Sequence, residues 1–226
     1  MTTLRHSRTA APAKPHLDRA GFVLLIAGGA AFFVSGPLHP PGSDTGDRTE
    51  QLHSMLVDSA WYPAHLVALV GFACVAAGLL ALGRGAVTRD RLGRLLRICA
   101  AVAVAAALGA VIHLFAATQA GEIEHGGTTV LIAAFMGVET VVNPAWGLMI
   151  AALAVVGGLT RALGNRIVLP LGLLGGLAYA VATATIAFVD TFDLLFPVAG
   201  LAGIWLLTSG LVGLARRPPQ VNEQAD

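Results

Sequence analysis

Two histidines and a glutamate stand where an apolar chain should carry no ionisable group. His65 closes the phrase "DSAWYPAH", about four residues into a stretch that stays apolar to Gly83. His113 lies about five residues before the outer end of the next apolar stretch. At 1.5 Å per residue both sit ~6–8 Å below the same surface. Glu139 opens "ETVVNPAW", at the mouth of a fourth stretch. Ionisable groups inside hydrocarbon are costly, and they ordinarily face a bundle interior or a wet cavity. Burial favours a neutral carboxylic acid over a carboxylate, which would make Glu139 a proton donor. An imidazole at the same level could take the proton back. The expected catalytic set is therefore Glu139, His65, His113 and Asp190. Trp146, Trp61, Tyr62, Phe192, Asp193 and His39 are the expected substrate-binding residues at the same end of the molecule. Acids beside aromatic faces suit proton-initiated cyclisation or isomerisation of an apolar, prenyl-like substrate, because the rings stabilise cationic intermediates.

Other chemistry fits the same residues. Two histidines at one depth on neighbouring helices could ligate haem b, and with His39 they could hold a copper or zinc ion. A proton-coupled transporter or sensor is a third possibility, but the opposite half of the chain is nearly featureless, and a path needs polar groups at both ends. Aromatics at this level also suit an interfacial belt, and Asp190 or Asp193 suits a helix cap. Soluble-enzyme signatures such as GxSxG, a P-loop or HExxH do not occur.

The elements that must position these residues follow from composition. The chain has 226 residues, 56% hydrophobic and 12% charged, against about a quarter charged in a soluble domain. Six apolar stretches, near 20–38, 61–83, 95–118, 141–163, 168–189 and 194–215, are about long enough to cross hydrocarbon roughly 30 Å thick. All 14 Lys and Arg except Arg48 fall on one side of this arrangement, which puts both termini in the cytoplasm. The first stretch reads as an uncut anchor, since "FFVSGPLHPP" offers no small-x-small cleavage pattern. The expected fold is all-α and polytopic: six transmembrane helices in a plasma membrane of bacterial type. A tail over 1–19 and another over 218–226 flank one domain over 20–217. A net charge of +1 without a basic cluster among aromatics excludes a nucleic-acid partner, leaving membrane lipids and an apolar small molecule or lipid substrate. Cys74 and Cys99 differ in depth by ~7 Å, too far for an easy disulfide.

The phrase "DSAWYPAH" recurs 81 residues later as "ETVVNPAW", each followed after the same interval by Ala-Leu-Gly. This spacing predicts a duplicated hairpin, with copies about 20–84, 101–165 and, eroded, 168–217. In each phrase the proline suits a first helical turn, and Asn143 suits the cap before it. One copy then places His65 where the other places Trp146, a reactive side facing an apolar wall. "RTEQLHSMLVD" predicts a short surface helix with its apolar stripe at Leu52, Met55 and Leu56. "TTVLIAAFMGVE" either lies in the interface or extends the fourth helix and carries Glu139 deeper.

In size, helix count and acids at helix ends beside aromatics, the chain resembles the small integral-membrane terpene cyclases. The residues carrying the resemblance are Glu139, Asp190 and Trp146. It implies cyclisation without a metal or other cofactor. Six helices rather than seven depart from part of that group, and no diagnostic motif accompanies the likeness.

Overall fold

The computed structural model describes residues 16–43, 46–84, 91–189 and 191–216. Among them every regular element is helical. The long helices are α1 (His16–Leu38), α3 (Trp61–Arg84), α4 (Arg91–Ala116), α7 (Asn143–Thr160), α8 (Leu169–Thr185) and α9 (Phe196–Ala215). Short helices α2 (Arg48–Leu56), α5 (Ala120–Glu124) and α6 (Val130–Gly137) lie between them. Asp190, Asp44 and most of both expected tails fall outside the described residues.

Five helical runs are long and apolar enough to cross a membrane: Arg19–Leu38, Trp61–Arg84, Leu92–Glu124, Val130–Thr160 and Asp193–Ala215. The fifth expected stretch is shorter than its apolar composition suggested. It forms 17-residue α8, which ends at Thr185 rather than near 189.

The six long helices pack as a closed ring in the order α1, α3, α4, α7, α8, α9 and back to α1. Small residues let the neighbours approach. A β-carbon added at Gly147 of α7 would lie 2.5 Å from the Gly176 carbonyl oxygen of α8. Gly29 of α1 meets the Gly203 carbonyl of α9 in the same way, at 2.6 Å. Such close approach lets neighbouring backbones gain dispersion contact, the packing that small residues permit between apolar helices. Leu25, Val75, Leu79, Ile150, Leu153, Trp205 and Leu206 fill the ring, none of them measurably exposed. Cys74 and Cys99 are both free thiols.

A second apolar cluster covers one end of the ring. Leu56, Trp61, Ala116, Ile123, Ile132 and Phe135 are buried together there, with Leu52 and Met55 packed against them. The expected surface helix is therefore present as α2, stripe inward. Its start is fixed by Asp47, whose side chain accepts from the Thr49 and Glu50 amides while Glu50 reaches back to the Asp47 amide.

The two recurring phrases take different conformations. Trp61 begins α3, so Pro63 stands in a first turn as expected. Pro144 does not open a helix. Residues 130–160 form one continuous run, with a π-helical turn over Val138–Val142 immediately before Asn143. Proline lacks an N–H and its ring clashes with the carbonyl four residues back; the wider turn accommodates both defects. Asn143 consequently caps nothing, and the extension of the fourth helix inward is the alternative that holds. The two Ala-Leu-Gly echoes also differ: Gly83 is within α3, whereas Gly164 lies past α7 with φ +72°.

Candidate metal centre

His39, His65 and His113 meet at the end of the ring that α2, α5 and α6 cover. Each brings one ligand nitrogen, and these lie within 4.8 Å of one another. The rings are in contact: His65 and His113 stack with centroids 4.6 Å apart and planes 20° from parallel, and His39 meets His65 edge-on at 4.9 Å. Three different helix ends supply them. His39 follows α1 directly, where Gly36-Pro37 ends the helix and the His39 amide bonds the Gly36 carbonyl. His65 is one turn into α3, and His113 one turn before the end of α4.

Every one of the three Nδ1 atoms lies against an oxygen. His39 Nδ1 is 3.0 Å from the Pro40 carbonyl. His65 Nδ1 is 2.6 Å from the Trp61 carbonyl. His113 Nδ1 is 2.8 Å from Glu139 Oε1. An oxygen acceptor at Nδ1 fixes the tautomer with the proton there and leaves Nε2 as a lone-pair donor. Metal-ligating histidines are held in this way, by a backbone carbonyl or a carboxylate at the second nitrogen.

Aromatic rings set the position of the inner pair. Trp61 stacks on His65 at 3.8 Å and on His113 at 5.4 Å, and Phe135 meets His113 edge-on at 4.7 Å. Trp61 is itself pinned, with Nε1 donating to the Leu114 carbonyl at the end of α4. His65 and Glu139 are buried, at 6% and 5% exposure, whereas His39 is open on one side. Although part of His39 is open, burial of its ring, followed by the nearby His113, holds its pKa below the usual imidazole value. A neutral imidazole is the form that binds metal.

Glu139 lies on the π-helical turn, and its Oε1 accepts from both His113 and Asn143, the latter at 2.9 Å. The chain therefore builds a relay from Asn143 through Glu139 to His113. Sequence spacing could have revealed Asn143, which stands four residues after Glu139 on one face of a continuous helix; reading it as a cap hid that role.

The other expected site residues are placed elsewhere. Trp146 is buried but lies among Phe32 and Phe72 in the middle of the ring. It is seven residues, or about 10 Å, beyond Glu139 along the helix, and the wall around the histidines is made by Trp61 and Phe135 instead. Tyr62 points outward at 47% exposure, and Phe192 is 39% exposed. Asp193 does not cap α9, whose start has no side-chain cap; its carboxylate lies 3.8 Å from Arg48.

Comparison with protein-family models, with curated proteins and with solved structures finds no match to this chain.

Proposed function

We propose that this is an integral membrane protein, with six membrane-crossing helices, that binds a divalent transition-metal ion of the zinc class through His39, His65 and His113. The observation that carries the reading is the joint geometry of the three rings. Their ligand nitrogens converge, and each Nδ1 already has an oxygen acceptor, which leaves Nε2 as the lone-pair donor. Neutral imidazoles suit zinc, copper, nickel and iron, and three of them leave a fourth position for water or substrate. Tetrahedral zinc with N at ~2.0–2.1 Å holds ligand nitrogens roughly 3.3 Å apart, so closing atoms that lie within 4.8 Å onto an ion asks up to about 1.5 Å of side-chain movement. His39, on a short non-helical segment, is the ligand best placed to make it.

Haem fits less well. Axial imidazoles approach a macrocycle from opposite faces, and rings stacked 4.6 Å apart leave no room for one between them. The cyclase-type reading asks Glu139 to donate a proton, yet its Oε1 accepts from two donors. That favours Glu139 as the partner that orients His113.

The test is a cobalt(II) and zinc titration of the protein in detergent or nanodiscs. One ion per chain, with the visible bands of four-coordinate cobalt, is expected. Alanine at His39, His65 or His113 should each abolish stoichiometric binding while thermal unfolding stays cooperative. Absence of binding by the wild-type protein, or unchanged binding in all three folded variants, overturns the reading.

A further inference from the structure

Three guanidinium groups gather at the end of the ring opposite the histidines. Arg161 follows the last residue of α7, Arg166 stands in the connection to α8, and Arg216 follows α9. With Asn165, Ile167 and Val212 they line an open cleft of about 340 Å³. Among the described residues, none lining it is acidic.

The cleft is built on a fixed loop. Asn165 Oδ1 accepts from the Ile167 and Val168 amides, which starts the turn into α8. Arg216 crosses from α9 and donates to the Ala162 and Gly164 carbonyls. Two guanidinium nitrogens of Arg216 are thus engaged in holding the loop, and Arg161 and Arg166 supply the remaining positive charge along the cleft.

Arg161 has φ 59° and ψ 17°, the only non-glycine residue with positive φ among those described. Helix ends that turn left-handed ordinarily use glycine or asparagine, because a β-carbon is disfavoured there. Cationic residues at helix ends need no such conformation to serve topology, since any exposed position near the headgroups would do. Strain of this kind, held by a loop that over-determines it, is the mark of a positioned group. Beside it, Ile167 is 85% exposed, an apolar side chain set next to arginines at the end of three apolar helices.

We infer that this cleft binds a phosphate group, carried by the headgroup of an anionic lipid. The guanidiniums match phosphate oxygens in fork geometry. Ile167 and Val212 give the acyl chain an apolar flank, which a free phosphate would not need. This inference is independent of the metal reading, which concerns the other end of the molecule.

Native mass spectrometry of the whole chain in detergent tests it, with phosphatidylglycerol and phosphatidylcholine as probes and inorganic phosphate as competitor. The wild-type protein should retain phosphatidylglycerol in preference. Arg161→Gly should keep or raise the thermal midpoint, because glycine accepts the backbone conformation, and should lower that preference about fivefold, as expected for one basic residue at an anionic headgroup. Arg166→Ala should lower it comparably. Ile167→Ser should weaken retention of phosphatidylglycerol without altering competition by inorganic phosphate. Equal retention of the two lipids by the wild-type protein overturns the inference, as does wild-type preference in both arginine variants. Strong binding of inorganic phosphate without preference between the lipids assigns the cleft to soluble phosphate and overturns the lipid source.

Discussion

The oxygen Glu139 Oε1 accepts from two donors and so settles which way His113 faces. Exchanging the carboxyl for an amide of the same shape isolates that effect. Glu139→Gln is expected to weaken zinc or cobalt affinity 10–100-fold, the usual consequence of losing the outer partner of a ligating histidine, with folding intact. An unchanged titration curve would leave Glu139 without an orienting role. His65, His113 and Glu139 were legible in the sequence because a titratable side chain inside an apolar run demands a reason. Trp146 was misplaced as a wall because spacing from a presumed helix start gives depth, and that start was wrong by a dozen residues. Asn143 was misread for the same cause: its partner Glu139 is visible only once the helix is known to continue through both.

Between α6 and α7 the helix widens for five residues, and Glu139 rides on that widening. π-Helical turns of this sort recur at functional sites. Pro144→Ala restores an N–H and removes the ring clash, so the run can tighten to an ordinary α-helix. One residue's worth of register, about 100° around the helix, would then rotate Glu139 away from His113. The expected outcome is a folded protein with a metal affinity as weak as that of Glu139→Gln, read by the same titration. Packing makes a separate prediction. Gly147→Val drives a side chain into the Gly176 backbone and should destabilise the protein by roughly 1–3 kcal/mol, whereas Gly137→Ala, in helical conformation with nothing within 4 Å, should raise stability by about 0.4–1 kcal/mol. Element existence was readable in hydropathy, because six apolar runs are hard to mistake. The π-helical turn was not, since nothing in "VETVV" distinguishes it from an α-helical turn; only the proline after it carries a signal, and that signal also fits a helix start. The recurring phrases take different local conformations and so do not support descent from one hairpin.

At the scale of the whole molecule, the histidines and the arginine cleft mark opposite ends of one ring, joined by α7, which is about 27 Å long at 1.5 Å per residue. If the chain crosses the membrane as proposed, Ser59 and Thr160 lie on opposite sides. With Cys74 and Cys99 replaced, a membrane-impermeant thiol reagent added outside should label a cysteine at Ser59 and spare one at Thr160; labelling both from outside would break the topology. The basic bias is plain in the sequence and predicts the orientation that this labelling tests. Ring order was invisible, since it depends on which small residues face each other across helices far apart in sequence. Gly210 and Gly213 of α9 pack on Phe22 and Ile26 of α1, so α1 and α9 are neighbours, with the start of one beside the end of the other. A circular permutant, with α9 tied to α1 by a flexible linker and new ends opened in the 85–90 connection, should assemble the same barrel of helices and keep the three imidazoles together. Loss of cooperative unfolding in that permutant would show that the order of synthesis, and not the packing alone, is needed to close the circle.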